Sequence, residues 1–177
     1  MSSKLNELKR ILGMGARSNK YKIMITAPIA GGSEVEIDTL CKGASIPTET
    51  VGIVEVYNQG RKLNIAGDRS YEGSISYTFY LTQDHKLRDD FVKWIDFIDN
   101  FEEHNRGKNT DIGHDDYMID GARVQQLNTS TNEVTANYKF YNFFPTEVGE
   151  VELADDNQDQ VSEFTVNFSY SHITRED

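Results

Sequence analysis

The feature that most constrains the fold of this chain is a strict alternation of apolar and polar residues close to its C-terminal end. The apolar parity holds Phe164, Val166, Phe168 and Tyr170, and the polar parity holds Thr165, Asn167 and Ser169. A period of two is typical of an antiparallel strand that buries one face and leaves the other in water. Aromatic and β-branched residues favour such a pleated, half-buried surface. The alternation therefore predicts a sheet in the domain core.

Further strands are predicted along most of the chain. Asn58-Gln59-Gly60 separates two apolar-rich runs and places a glycine where a left-handed residue is needed, which is typical of a hairpin. Pro145 is expected to end one strand, and the polar segment 34–50 is expected to be an extended loop. The predicted strands cover residues 21–26, 51–57, 61–66, 71–81, 119–127, 133–144 and 161–170.

One helix is predicted at about residues 85–101, with Thr82 or Asp84 as its N-cap. Its apolar residues recur at intervals of three and four, and charged residues occupy the other face. Such a stripe is expected to pack against the sheet. The helix residues expected in the core are Leu87, Phe91, Trp94, Ile95 and Ile98.

These patterns predict a mainly β protein, an antiparallel β-barrel or sandwich of about six to eight strands with one packing α-helix. A length of 177 residues suits one domain, which we place at residues 20–173. Residues 1–19 are expected to form a flexible N-terminal arm and residues 174–177 a C-terminal tail. Within the arm, an amphipathic pattern over residues 4–12 stops at Gly13.

The charge balance argues against nonspecific binding to nucleic acid, because the net charge is −11. Basic residues cluster only near the N-terminus, where apolar residues separate them, and this favours a solvated helix face over a phosphate-binding arm. No apolar run is long enough for a membrane helix or a signal peptide, so we expect a soluble intracellular product with no membrane partner. The basic residues are Lys4, Lys9, Arg10, Arg17, Lys20 and Lys22.

Catalytic and metal-binding motifs are weak, and we expect no enzyme, no metal and no cofactor. Cys41 is the only cysteine, which excludes an intrachain disulfide and a zinc site built of thiolates. The sequence has no Gly-x-Ser-x-Gly elbow for a nucleophile. Residues 155–159 start like an EF-hand loop, but Gln160 replaces its glycine. Another set of possible metal ligands lies in a Gly/Asn-rich loop, where no helical or strand spacing would fix their positions. These residues are His104, His114 and the pair Asp115-Asp116.

Several blocks of sequence, in this order and spacing, resemble the tail tube proteins of contractile-tailed phages. The likeness covers about residues 20–173 and leaves the first twenty residues and the 102–116 loop without a counterpart. It consists of small and aromatic positions rather than a catalytic signature. The blocks are Cys41 to Pro47, Tyr57 to Arg69, Arg88 to Trp94, Tyr138-Lys139-Phe140, Phe144-Pro145-Thr146 and Phe164-Thr165-Val166.

This resemblance implies a virion protein, made in the host bacterial cytoplasm, whose subunits form hexameric rings stacked into the inner tube of a contractile tail. It implies tail sheath, baseplate and tail terminator proteins as partners, with genomic DNA only in transit through the lumen. An acidic lumen wall would repel phosphate and let the genome slide.

Two sets of residues follow from the polar strand parities and from the polar loop of such a subunit. The lumen candidates are Glu49, Glu55, Lys62, Asn64, Glu133, Thr135 and Asn137. The candidates for contacts between rings are Glu34, Glu36, Asp38, Lys42, Ser45 and Thr48. A register error of one residue would invert each lumen set.

Two alternatives remain at this stage. The tube protein of a bacteriocin or of a type VI-like contractile injection system has the same fold and differs little in sequence pattern. A monomeric small-molecule-binding β-barrel would instead line a cavity with aromatic residues. The aromatic candidates for that cavity are Phe79, Phe140, Phe143 and Phe168.

Overall fold

A computed structural model describes residues 2–13, 15–26, 28, 34–99, 117–153 and 160–176. These residues form three helices and ten strands. The helices are α1 Ser2–Gly13, α2 Glu34–Leu40 and α3 Lys86–Ile98. The strands are β1 Tyr21–Met24, β2 Cys41–Gly43, β3 Glu49–Asn58, β4 Arg61–Tyr71, β5 Ser74–Tyr80, β6 Arg123–Leu127, β7 Val134–Tyr141, β8 Phe144–Val148, β9 Glu163–Ser169 and β10 His172–Glu176.

The strands form two four-stranded sheets and one separate hairpin. The first sheet has the order β1-β6-β7-β10, the second has the order β2-β5-β9-β8, and β3 pairs only with β4. Every pairing is antiparallel, so the predicted mainly β, antiparallel fold class is confirmed. Ten strands replace the expected six to eight, because strands as short as β2 and β10 are defined by their ladder partners and carry no periodic signal of their own.

The alternation near the C-terminal end forms the centre of the core, as expected. Phe164, Val166 and Phe168 of β9 are buried, and Tyr170 is buried immediately after the strand. Strand β9 pairs with β5 on one side and β8 on the other, so it is an inner strand of the second sheet. Inward-facing residues of both sheets and of α3 belong to one hydrophobic cluster.

Helix α3 is the predicted helix, and it packs against the second sheet. Leu87, Phe91 and Trp94 are buried, and the ring of Phe91 lies 5.4 Å from that of Phe79 and 5.7 Å from that of Phe168. Of the other two expected core residues, Ile98 packs against the cluster while partly exposed, and Ile95 is partly exposed. The helix ends at Ile98, short of the predicted residue 101, and its C-cap Asp99 has an extended backbone.

The helix start differs from the prediction. Its N-cap is His85, which has a left-handed backbone and makes no side-chain cap bond. Thr82 donates its hydroxyl to Asp84, and the Asp84 carboxylate in turn accepts the Lys86 N–H at 3.4 Å. The Thr82 hydroxyl is thus bonded to the Asp84 carboxylate in the turn before the helix, and Thr82 is not the N-cap.

The polar segment 34–50 is not the extended loop that its composition predicted. Residues 34–40 form α2 and residues 41–43 form β2, which leaves 44–48 without regular structure. The reason is tertiary: Ile37 is buried in the core, β2 pairs with β5, and the Asp38 carboxylate accepts the Ile23 N–H at 2.8 Å. These long-range contacts are not accompanied by a periodic pattern of apolar residues in the segment, so its sequence does not indicate them.

Three further boundaries are corrected. Pro145 lies inside β8 rather than ending a strand, because β8 is an edge strand with a register shift beside the proline and tolerates its missing N–H. The predicted strand 71–81 is divided at Gly73, which has φ +74°, between β4 and β5. Residues 174–176, assigned to a tail, belong to β10 and pair with β7.

Candidate assembly surface

The hairpin β3–β4 stands apart from the rest of the described structure. The chain leaves the second sheet after β2, forms the hairpin, and returns as β5, which pairs with β2. Every side chain of β3 is exposed, and so are those of residues 61–66 and 68–70 on β4. The predicted turn is confirmed, with left-handed backbones at Gln59 (φ 48°) and Gly60 (φ 79°).

One face of the hairpin is apolar. Val54 lies opposite Ile65, and Val56 lies opposite Leu63, so the four side chains form a compact patch. We call these four residues the apolar patch. All four are exposed. The sequence signal that locates them is the parity opposite to the polar one chosen above for the lumen.

The other face of the hairpin, which we call the polar face, mixes charged side chains with the exposed Ile53 and Tyr57. It brings four of the seven lumen candidates together. Glu55 lies opposite Asn64 and forms an ion pair with Lys62, which lies two pairs further along, in the next pair on the same face. Glu49 forms an ion pair with Arg69. Each of the two carboxylates therefore has a cation beside it, so this face is polar but close to electrically balanced.

A bulge keeps these charged pairs on one face. The register shifts between Val51 and Ile53, where Gly52 meets Gly67 and Asp68. A Cβ added to Gly67 would lie 3.1 Å from the backbone of Gly52, so any other residue here would push the two strands apart slightly. Without the extra residue, Arg69 would lie on the face opposite to Glu49, whereas the pairing of Glu55 next to the turn would not change.

Of the remaining three lumen candidates, Glu133 immediately precedes β7, and Thr135 and Asn137 lie in its first half, in the first sheet and not in the hairpin. Glu133 accepts a hydrogen bond from Thr131 at 3.0 Å. Thr135 donates to the backbone carbonyl of Gln126 at 3.0 Å, and Asn137 donates to the Glu176 carboxylate at 3.0 Å. The structure therefore places the seven candidates on two separate surfaces.

The candidates for contacts between rings are also spread out. Glu34, Glu36 and Asp38 all lie in α2. The Asp38 carboxylate accepts a hydrogen bond from the backbone N–H of Ile23 in β1. Lys42 forms an ion pair with Glu163 on the second sheet, which raises the pKa of the Lys42 ammonium. Ser45 and Thr48 are exposed in the segment 44–48.

Helix α1 offers a second uncovered apolar surface. Leu5, Leu8 and Leu12 follow one another at helical spacing and are 55%, 51% and 66% exposed. The expected amphipathic pattern is therefore present on a helix, and the flexibility expected of the arm stays a prediction.

The described residues contain little that would support chemistry. No three His, Cys, Asp or Glu side chains are grouped as metal ligands within the described ranges. The EF-hand-like residues 155–159 and the residues His104, His114 and Asp115-Asp116 lie outside them. No described helix is long and apolar enough to cross a bilayer.

The four phenylalanines proposed for a ligand cavity pack on one another and on their neighbours instead. Phe143 and Phe168 stack at 4.6 Å between ring centroids, and Phe140 lies 5.4 Å from Phe143. Phe79 contacts the ring of Phe91 at 5.4 Å. All four are buried.

Comparison with known proteins identifies the family. The family model described as "Phage tail tube protein" matches residues 16–176, which is most of the chain. The chain belongs to the phage tail tube protein family. This membership places it among structural tail proteins and not among enzymes.

Two curated relatives in this tail tube family come from phages. The tail tube protein gp19 of Enterobacteria phage T4 is 26% identical over 132 residues, which cover 75% of this chain and 77% of that protein. The tail tube protein of Serratia phage KSP90 is 24% identical over 172 residues, covering 94% of this chain and 93% of that one.

Solved structures share the tube fold at low sequence identity. A chain of the anti-feeding prophage baseplate has a TM-score of 0.62 at 14% identity and is matched over 92% of this chain and 95% of its own. A chain of the sheath-tube complex of the PVC extracellular contractile injection system has a TM-score of 0.60 at 11% identity, over 99% and 98% of the two chains. These similarities show the fold.

Proposed function

We propose that this tail tube subunit assembles into hexameric rings that stack into the inner tube of a contractile phage tail, the conduit for DNA ejection. The observation that carries the assembly is the uncovered hairpin. A two-stranded sheet is marginally stable by itself in water and needs a further layer on its apolar face. Exposed apolar patches of this kind mark protein–protein contacts. A second copy of the chain supplies the missing layer.

The partners follow from the same role. Structural relatives come from a baseplate and from a sheath-tube complex. In this proposal the subunit contacts other copies of itself within and between rings, and the finished tube meets the sheath, the baseplate and the tail terminator. The protein then resides in the tail of the virion.

The lumen wall would combine the polar face of the hairpin with the start of β7. This choice rests on the position of the polar candidates Glu55, Lys62 and Asn64 opposite the apolar patch. A strand pair with one face packed and one face solvated suits the wall of a water-filled channel. Because Glu55 and Glu49 are paired with cations, the repulsion of DNA depends on the acidic excess of the whole chain rather than on these two carboxylates alone.

Contact between rings would use segment 44–48 with Ser45 and Thr48, together with the surface near Glu34, Glu36, Asp38 and Lys42. This part of the proposal rests on the exposure of Ser45 and Thr48 and on their position between β2 and the hairpin.

Negative-stain imaging of the purified chain over a range of concentrations tests the proposed function. We expect six-fold rings and hollow tubes, with a particle distribution that shifts towards tubes as the protein concentration rises. Size-exclusion chromatography on the same samples measures the shift. A chain that remains monomeric at every concentration would contradict the proposal and revive the ligand-binding alternative.

The tube of a bacteriocin or another injection system shares this fold, and the structural similarities do not separate it from a phage tail. The curated relatives favour the phage, because both come from phage tails. Sequencing the neighbouring genes tests this choice: capsid and terminase genes are expected, and effector genes without a capsid would contradict it.

A further inference from the structure

Helix α1 carries an apolar stripe that nothing in the described structure covers. Its three leucines, Leu5, Leu8 and Leu12, are each more than half exposed. A helix of 12 residues is marginal in water unless an apolar face is packed. The helix therefore needs a surface outside the described contacts of its own subunit.

The N-terminal segment is also opposite in charge to the rest of the chain. Residues 1–22 carry six Lys or Arg and one Glu, a net charge of +5, and since the whole chain carries −11, the remaining residues carry −16. A basic amphipathic helix is drawn towards an acidic protein surface. A second copy of this chain carries its acidic excess outside the hairpin, because residues 49–71 hold three acidic and three basic side chains. The attraction therefore brings α1 to the subunit as a whole, and apolar packing selects the hairpin.

The apolar patch of the hairpin matches the leucine stripe in size. Leu5 and Leu12 are separated by about 10 Å along a helix axis. The patch, Val54, Val56, Leu63 and Ile65, extends about 7 Å along the strands and about 5 Å across them. A two-stranded sheet gains stability by packing on a helix, and a short helix gains it by packing on a sheet.

We propose that α1 of one subunit docks on the apolar patch of a second subunit and holds neighbouring copies together. The inference rests on the proposed tube assembly and names the segment that covers the hairpin. The match to the family model begins at residue 16, so that model does not describe α1.

Disulfide trapping between two kinds of subunit tests the docking. One preparation carries Leu8→Cys and the other Val56→Cys, both with Cys41→Ala, and they are mixed before assembly and oxidised mildly. We expect a covalent dimer on a non-reducing gel. The matched control replaces Val56→Cys by Tyr57→Cys, one residue along on the opposite face, and we expect a several-fold lower dimer yield.

Tubes that form normally from the mixed subunits without a dimer would overturn the inference and leave the proposed function intact. A chain that carries both Leu8→Cys and Val56→Cys and cross-links only within itself would show that α1 docks on its own hairpin, which also overturns it. If the wild-type chain forms no tubes, the proposed function is contradicted, and the docking that rests on it is contradicted with it.

A second variant needs no new cysteine. Leu5→Ser, Leu8→Ser and Leu12→Ser together remove the stripe and leave the basic residues in place. We expect the concentration needed for tube formation to rise at least about tenfold, which corresponds to about 1.4 kcal/mol per contact. An unchanged concentration would contradict the docking of α1.

Discussion

At the residue scale, Trp94 connects α3 to the rest of the core. Its side chain is 0% exposed, and its Nε1–H donates to the carbonyl of Tyr117 at 2.9 Å. The ring thus fills volume in the core and also satisfies a carbonyl in the segment that follows residue 116. Both effects depend on the large indole.

Trp94→Ala is expected to lower the free energy of unfolding by about 3–5 kcal/mol, as large core truncations do. Urea denaturation of the isolated subunit measures it. Asp96→Ala, an exposed change on the same helix, is the control and should stay within about 0.5 kcal/mol of wild type. A Trp94→Ala subunit with wild-type stability would show that α3 is peripheral.

Cys41 and Tyr21 make the subunit sensitive to alkali. Burial raises the pKa of the Cys41 thiol from 9.0 to about 11. Burial and then the neighbouring Cys41 raise the pKa of Tyr21 from 10.0 to about 12, while the Tyr21 hydroxyl donates to the Cys41 carbonyl at 2.8 Å. Both groups hold their protons more tightly in the folded state than in the unfolded state.

Their contribution to stability is therefore complete below about pH 9 and is lost as the pH rises towards 12. We expect the urea midpoint to be level near neutral pH and to fall above pH 9. The variant Cys41→Ala with Tyr21→Phe should show a flatter decline over the same interval. An identical decline in the variant would assign the alkaline loss to other groups.

At the scale of elements, the hairpin is an insertion in the chain between two strands of the second sheet. Strand β2 precedes it, strand β5 follows it, and these two strands pair with each other. Its side chains are exposed, so burial of its apolar patch would stabilise the proposed association rather than the single subunit.

Val56→Ser with Leu63→Ser should leave the stability of the subunit within about 0.5 kcal/mol of wild type. The same change should raise the concentration required for tubes by at least about tenfold, because burial of such side chains contributes about 1.5–3 kcal/mol each. Tyr57→Ser, on the polar face, is the matched control. Imaging and denaturation of the three proteins separate assembly from folding, and equal tube formation in all three would exclude the patch from the interface.

At the scale of the whole molecule, the acidic excess would give the lumen of the proposed tube a repulsion of DNA that the fold alone does not provide. Charge on a wall acts over about 8 Å at physiological ionic strength, which reaches a DNA strand in a narrow channel. Among the residues that the structure describes, no cation is bonded to Glu133, whereas Glu55 forms an ion pair with Lys62. Changing Glu55 to Lys would therefore create a pair of like charges as well as a basic site.

Glu55→Lys with Glu133→Lys should leave tubes intact, because the apolar patch and the strand pairing are unchanged. Genome delivery should become slower, because phosphates meet attractive sites at each ring. Ejection of DNA from variant virions measures the rate. The control is Glu55→Gln with Glu133→Gln, for which a smaller decrease in the ejection rate is expected. If virions with the Lys variant eject DNA at the parental rate, the acidic charge serves solubility and not ejection.

The sequence by itself determined the elements whose signal is local. The parity of Phe164, Val166 and Phe168, the stripe of α3 and the turn at Asn58-Gln59-Gly60 each rest on residues close together in the chain. Side-chain periodicity and turn chemistry act over a few residues, so they can be read without knowledge of the partners. The resemblance to tail tube proteins followed from such blocks in order.

The tertiary structure decided the features that depend on distant partners. Pairing with β5 makes Cys41–Gly43 a strand, an edge position admits Pro145 into β8, and pairing with β7 makes the last residues a strand. In the hairpin, the polar parity was recognised from the sequence as a candidate surface, and the apolar parity was overlooked. An alternating strand predicts one buried face, but only the packing of the whole chain reveals that here no part of the described subunit covers it.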